Sequence, residues 1–242
     1  MIPGSSATVN TAARLAPEGE RELKFTLPHA RVHVARRWLD DICARDAEFP
    51  AAVVWTIYYD TPDLAALGEK INSDYLKRKI RVRWYSDLEG TPSGPAFVEG
   101  KFRVGTLRTK ARERLPLPAG ELAHLDLQDP LLRTFPLLLR PHGVTLGQSW
   151  TPMMLIRYRR DRFVEPASRS RVSLDADIAA AAVNPRFLAG ADYSPLELGV
   201  MEVKGSADEL PRALHPLLQL GAHKGSFSKF LAVYLHATRR IF

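Results

Sequence analysis

Residues 75–85 read Tyr-Leu-Lys-Arg-Lys-Ile-Arg-Val-Arg-Trp-Tyr, and no other stretch restricts the chain so tightly. Lys77, Lys79, Arg81 and Arg83 hold the odd positions, while Leu76, Ile80, Val82 and Trp84 hold the even ones, with Arg78 the exception. Successive side chains of a strand point to opposite faces, so the pattern predicts one strand with a cationic face and an apolar face. Cations spaced about 7 Å apart along one face repel each other unless something anionic lies between them. In a lone strand such a face is most simply a solvated outer surface. Here the same pattern recurs along the chain.

Before that strand, Glu20, Glu22, Lys24 and Thr26 share one face and Leu23, Phe25 and Leu27 the other with Arg21, until Pro28 ends the run. Val53, Trp55, Ile57 and Tyr59 mark another strand, closed by the turn Asp60-Thr61-Pro62-Asp63. Beyond the turn cluster at 90–95, Glu99, Lys101 and Arg103 oppose Val98, Phe102 and Val104. Gly105 and Thr106 predict a hairpin into 107–117, where Arg108, Lys110, Arg112 and Arg114 share a face. Further strands are predicted over 153–164, over 171–178 with Arg171, Ser173, Asp175 and Asp177 on one side, and over 197–204 with Glu202 and Lys204 opposite Met201 and Val203.

Helical spacing of Val34, Ala35, Trp38, Leu39 and Ile42 predicts an amphipathic helix over about 29–45 with Arg31, Arg36 and Arg37 outside. Asp129-Pro130 reads as the cap and first turn of a short helix reaching about Phe135. Leu210, Leu214 and Leu217 suit a helix interrupted at Pro216, and Phe227, Phe230, Leu231 and Tyr234 a last one starting at Ser226 or Ser228. Cys43 falls on the apolar stripe of the first helix. Residues 1–17, small, polar and unpatterned, are expected to be a disordered lead-in to one domain over 18–242.

The result is a mostly β (α+β) chain of about eight antiparallel-compatible strands, most with a mixed-charge face. A sandwich would turn those faces to water. A closed barrel would turn them inward under a cover of helices, and eight strands are just wide enough to hold a small ligand. Periodicity alone leaves both open. The charge balance bears on what the chain binds: 34 Lys and Arg against 27 Asp and Glu, a net +7, favours an anionic partner. One cysteine excludes an internal disulfide and a multi-cysteine zinc site. No apolar run reaches the length of a membrane span and no secretory leader is recognised, so a reducing cytoplasm is the expected compartment.

Seven short motifs then stand in order: Glu20-x-Glu22-x-Lys24, Arg81-x-Arg83, Glu99-Gly-Lys101, Tyr158-x-Arg160-x-x-Phe163, Arg171-Val-Ser-Leu-Asp175, Met201-Glu202-Val-Lys204 and Phe227-Ser-Lys229-Phe230. Together they resemble the VTC-type polyphosphate polymerase domain, a member of the triphosphate tunnel metalloenzymes and relative of the CYTH phosphatases. The resemblance runs from about residue 18 to 237. It implies an eight-stranded antiparallel tunnel β-barrel with flanking helices, whose basic interior grips ATP, another triphosphate or polyphosphate. It implies phosphate binding by Lys24, Arg81, Arg83, Lys101, Lys110, Arg160, Arg171 and Lys229, with Arg81, Arg83, Lys101, Arg160 and Arg171 the catalytic set. A divalent ion, Mn²⁺ or Mg²⁺, would be held by Glu202, with Glu22 beside it. The sequence departs from the family pattern at Ser226, where a second lysine often stands, with Lys224 close by. The phosphate-sensing and transmembrane domains of the eukaryotic vacuolar members are not expected here, so any membrane link would run through a membrane-associated partner protein.

The residues read by themselves agree with this chemistry. No Gly-x-x-x-x-Gly-Lys and no Gly-x-Gly-x-x-Gly occurs, so phosphates would be held by side chains rather than by a glycine cradle. Phosphoryl transfer asks mainly for positioning and charge stabilisation, which the planar fork of arginine supplies. Glu20, Glu22, Glu99, Asp175 and Glu202 are either oxygen ligands for a hard metal or internal balance for the arginines. Ser228 is either an ordinary helix cap or, with the free backbone N–H groups there, a phosphate donor. Arg103, Arg108, Arg112, Arg114, Arg157, Arg159 and Arg162 read as solvated strand charges, and Tyr58, Tyr158 and the tryptophans as packing. Polymerase, hydrolase and non-catalytic polyphosphate binder remain open. Nucleic acid is disfavoured because the aromatics do not interleave with the cations as a stacking platform.

Overall fold

A computed structural model describes residues 21–72, 75–147, 149–206 and 209–239; the expected lead-in and Glu20 lie outside the described residues. The alternating stretches become strands: β1 Arg21–Pro28, β3 Ala51–Asp60, β4 Leu76–Ser86, β5 Pro92–Val104, β6 Leu107–Pro118, β7 Thr151–Val164, β8 Arg171–Val183 and β9 Leu198–Gly205. Two further strands are only two residues long, β2 Ala44–Arg45 and β10 His223–Lys224. All ten belong to one antiparallel sheet in the order β10-β1-β9-β8-β7-β3-β4-β5-β6, with β2 beside β7.

The closed eight-stranded barrel expected from the sequence is not what forms. Among the described residues no ladder joins β6 to β1, and the sheet has ten strands. Part of the reason lies at the margin: β10 pairs with Phe25 and Thr26 on the outer edge of β1, which barrel closure would need free. The sheet is nonetheless strongly curled, because residues from both of its margins, Arg21 and Lys24 on β1 and Arg108 and Lys110 on β6, line the same cavity. Register shifts at Tyr58/Tyr59, Arg83/Tyr85, Pro95/Phe97 and Arg157/Arg159 mark bulges, which bend a strand and increase its twist.

The apolar faces lie opposite the cavity. Phe25, Leu27, Leu174, Met201 and Val203 pack under α1 (Val32–Ile42) and a 3₁₀ segment, Arg212–Leu220. Ile80, Val82, Trp84 and Val98 pack with Leu122 of α3 (Ala119–Ala123) and with Leu139 of a second 3₁₀ segment, Phe135–His142. Both 3₁₀ segments carry internal prolines, Pro216 and Pro141. Proline removes the donor that an α-helical ladder needs, so these stretches form tighter, shorter turns instead of the α-helix predicted around Pro216. Asp129 caps its segment, Pro130–Arg133, as predicted, accepting from Leu131 N at 2.8 Å, but that segment too is 3₁₀.

One helix was not anticipated, and the predicted last helix forms after Ser228 but packs elsewhere than the outer face. The turn at Asp60 leads straight into α2 (Ala65–Ile71). Asp60, fully buried, accepts hydrogen bonds from Thr61 N, Ala66 N and Leu67 N at 2.8, 2.9 and 3.0 Å, and so ties this short helix to the end of β3. The C-terminal helix α4 (Lys229–Ala237) does not cover the outside of the sheet. Phe230 stacks on Tyr58, ring centroids 4.9 Å apart, and both residues line the cavity.

Arg36 is also not on a free outer face. Its Nε donates to Asp161 Oδ2 at 2.9 Å, and Asp161, fully buried, accepts from Arg45 Nη1 at 3.0 Å and Arg159 Nη2 at 3.1 Å. Three guanidinium groups around one buried carboxylate pin α1 and β2 to β7.

Candidate functional site

The concave face of the sheet bounds a cavity of about 620 Å³. Its wall carries fifteen Lys or Arg side chains against two carboxylates, Glu22 and Glu202. This follows directly from strand alternation: Lys77, Lys79, Arg81 and Arg83 face inward because Ile80, Val82 and Trp84 are buried on the other side. The antiparallel register then sets the layers. Arg81 is paired with Tyr58 and with Glu99, and Lys79 with Lys101, which in turn pairs with Lys110.

Each guanidinium at the floor has a fixed partner. Arg81 Nε lies 2.6 Å from Glu99 Oε2, and Arg83, 7% exposed, donates Nε to Thr56 Oγ1 at 3.1 Å. Arg160 makes a bidentate pair with Asp175, 2.6 Å from Nε and 2.7 Å from Nη2. Lys229, at the first turn of α4, holds Asp175 Oδ2 at 2.6 Å and Glu202 Oε1 at 3.4 Å. Lys24 reaches Glu22 at 2.9 Å and Glu202 at 3.4 Å. Ser228 caps α4, its Oγ accepting from Leu231 N at 3.5 Å, and also lines the cavity.

The charge states follow from this crowding. Burial would raise Glu202, but Lys229, Arg160 and Lys24 outweigh it and hold the carboxyl far below its ordinary range. Glu99 is held at about 2 against the same penalty, by Arg81 and Arg83. Lys79 and Lys101 go the other way. Burial and neighbouring cations, Arg81 chief among them, push each ammonium down to about 8. Cations that lose affinity for their own protons are the mark of a site short of negative charge.

Of the residues expected from sequence, Lys24, Arg81, Arg83, Lys101, Lys110, Arg160, Ser228, Lys229, Glu22 and Glu202 line this one cavity. Arg171 does not. It is exposed at the start of β8, and its backbone pairs with Lys204 and Val164. The sequence reading left Lys79 and Lys204 out of the site, read Tyr58 and Tyr158 as core or barrel-wall packing, and read Arg103 and Arg108 as solvated; all six line the cavity. For Lys79 the alternation of β4 already held the necessary information. For the tyrosines nothing did, since a buried aromatic on a strand reads the same whether it faces a core or a cavity.

A divalent cation has a plausible donor set. Among the described residues no group of three or more His, Cys, Asp or Glu converges, so the protein offers no complete cage. Glu22 and Glu202, however, both reach the ammonium of Lys24 from adjacent strands β1 and β9. One or two carboxylates completed by substrate oxygens and water is the usual way such ions are held at phosphate sites, and these two residues fit it.

A family model, the VTC domain, matches residues 20–237. The chain belongs to the VTC-domain family. No curated protein matches the sequence. Among solved structures, this VTC domain is similar to a candidate adenylyl cyclase of Hippeastrum described as having a dominant triphosphatase activity, at 14% identity over 92% of this chain and 97% of that one, with a TM-score of 0.52. Candidate adenylate cyclases of Bacillus halodurans and Vibrio parahaemolyticus align at 12% identity over 89% and 86% of this chain and 92% and 94% of their own chains, with TM-scores of 0.44 and 0.43. At such identity the Hippeastrum likeness establishes the fold.

Proposed function

We propose that this VTC domain is a metal-dependent phosphotransferase that takes ATP and polyphosphate into the cavity and passes the γ-phosphoryl group to the end of a phosphate chain. The observation that supports it is the imbalance of the cavity wall, fifteen cationic side chains against two carboxylates. A wall of that kind needs several negative charges close together, and a run of linked phosphates supplies them.

The chain's own part in the reaction is to hold and polarise. Arg81, Arg83 and Arg160, with forks fixed by Glu99, Thr56 and Asp175, can address equatorial oxygens of the transferring group without reorganising. Lys24, Lys101 and Lys110 hold flanking phosphates as mobile point charges, and Lys229 adds one fixed in place by Asp175. Ser228 adds a hydroxyl at the start of α4. Tyr58, Tyr158 and Phe230 give the floor a low-polarity backing, which strengthens every charge interaction above it. Glu22 and Glu202 would hold Mn²⁺ or Mg²⁺, which when bound would supply charge neutralisation for the phosphates.

Hydrolysis is the second reading, with water in place of the chain end. The triphosphatase activity described for the Hippeastrum protein of similar fold favours it. Incubation of the pure protein with ATP and Mn²⁺ or Mg²⁺, followed by separation of products by length, decides between them. Long phosphate chains are the expected result. ADP and orthophosphate alone would establish the hydrolase, and tight chain binding without turnover would leave a binding module.

A further inference from the structure

One buried group in the cavity has no part in the clamp. Tyr58, on β3, is 1% exposed, yet it belongs to the cavity wall. Its ring lies between Phe230 of α4, stacked at 4.9 Å, and the Lys79 ammonium, 4.7 Å from its centroid. Among the described residues its hydroxyl has no hydrogen-bond partner, and it is not one of the polar atoms sealed away from the cavity. A buried phenol without a partner is costly unless something in the cavity completes it.

The groups around it are nearly all cationic. From β4 come Lys79, Arg81 and Arg83, and from α4 comes Lys229. Lys24 on β1, Lys101 on β5 and Arg160 on β7 line the same space. The carboxylates facing this cluster neutralise only part of it: Glu99 pairs with Arg81, Asp175 with Arg160 and Lys229, Glu202 with Lys24, Lys229 and Arg160, and Glu22 with Lys24. Two further phenols stand near: Tyr158 on β7 sits under Arg160 and Lys229, and Tyr85 on β4, under Arg162, is also lowered against burial by Arg83 and Arg160.

Building on the phosphate-binding reading above, we propose that Tyr58 is a proton-linked substrate-binding residue. Without phosphate its phenolate serves as counter-anion to the surrounding cations. When a phosphate chain enters, the phenolate takes one proton from solvent and the restored O–H donates to a phosphate oxygen. The bond that breaks is the one holding that proton on hydronium or a buffer acid, and no other covalent bond changes.

The balance of forces favours this exchange. Burial by itself would raise the phenol, but Lys79, Arg81, Arg83 and Lys229 outweigh it and bring it down to about 7. Phosphate charge among those same cations cancels their field on the phenol, and burial then favours the neutral form. Lys79 and Lys101, each lowered to about 8, also gain protons when an anion arrives. Proton uptake therefore has more than one source, but only a tyrosine has an ultraviolet band that reports its own ionisation.

The test uses the full chain, inorganic triphosphate and metal-free buffer at about pH 8, one unit above the Tyr58 value. Wild-type protein should show a tyrosinate band that fades as triphosphate is added. Tyr58→Phe should lack that change while still binding triphosphate. Calorimetry in buffers of different ionisation enthalpy should give less proton uptake by the variant, by up to about one proton, because Lys79, which the Tyr58 phenolate holds up, makes up part of the difference. A fading band that persists in Tyr58→Phe would assign the effect to another tyrosine and overturn the proposal. If the variant does not fold, the wild type alone decides: binding without any loss of tyrosinate overturns it equally. Failure of the wild type to bind triphosphate at all would instead strike at the phosphate-binding reading.

Discussion

Lys229 Nζ, on the last helix, lies 2.6 Å from Oδ2 of Asp175, a fully buried carboxylate in the middle of β8. The same Asp175 holds both forks of Arg160, so one anion sets the position of two cations from different parts of the fold. Asp175→Ala would leave both buried charges with Glu202 as their remaining carboxylate. Breaking a buried pair in this way should destabilise the fold by about 3–5 kcal/mol. Urea unfolding checks the magnitude, and triphosphate should restore part of the loss because phosphate replaces the missing anion.

Arg81 tests whether geometry matters beyond charge. Arg81→Lys keeps the positive charge but loses the fork that Glu99 orients from 2.6 Å. Turnover should fall by the equivalent of about 2–4 kcal/mol in transition-state stabilisation, with a much smaller change in chain affinity. Arg36 cannot serve as the control, since it is bound to Asp161. Arg37, exposed on the same helix, can, and Arg37→Lys should be nearly silent. Equal losses in the two variants, measured across a salt series, would mean the wall acts as a diffuse field.

Glu202→Gln separates metal binding from folding. Three cations, Lys24, Arg160 and Lys229, lose a shared counter-charge in this variant, so its stability should drop as well. The specific expectation is a rise of about tenfold or more in the divalent-ion concentration that gives half-maximal turnover. Asp175→Asn, which disturbs two of these cations, Arg160 and Lys229, should leave that concentration close to the wild-type value. A matching shift in both variants would remove Glu202 from the metal site.

Triphosphate affinity should weaken as pH rises from about 7 to about 9. Lys79 and Lys101 lose their charge near 8 in the free site, and phosphate pulls both values upward, so binding takes up protons. Each proton taken up weakens binding by up to about tenfold per pH unit above the free-site value. Lys101→Arg, whose charge does not titrate in this range, should flatten the profile. Calorimetric affinities across that range provide the check, and a flat wild-type profile would show that the lysines stay charged throughout.

Much of this was legible in the chain because strands write their faces at a period of two. The run Lys77, Lys79, Arg81, Arg83 against Ile80, Val82 and Trp84 fixed a two-faced strand before any partner was known. Alternation also gave the charged faces of β5 and β6, and turn and cap signals gave the hairpin at Gly105 and a helix start at Ser226 or Ser228, of which the fold uses Ser228. The prolines marked where helices could not run regularly, though not that the outcome would be 3₁₀.

The tertiary structure decided what local periodicity has no means to encode. Arg160 and Arg171 both stand on mixed-charge strand faces in the sequence. Arg160 lies in mid-strand against Asp175, whereas Arg171 sits exposed at the open end of β8. Curling of the sheet, helped by bulges, turned the charged faces inward, and the pairing of β10 with β1 left the ladder open at the margin. The folding back of α4 put Lys229 onto Asp175 and Phe230 onto Tyr58. Local sequence determines which side of a strand is charged, because alternation is a property of the backbone. Which charges meet depends on curvature and on contacts between distant segments, and those exist only once the chain has closed around its own cavity.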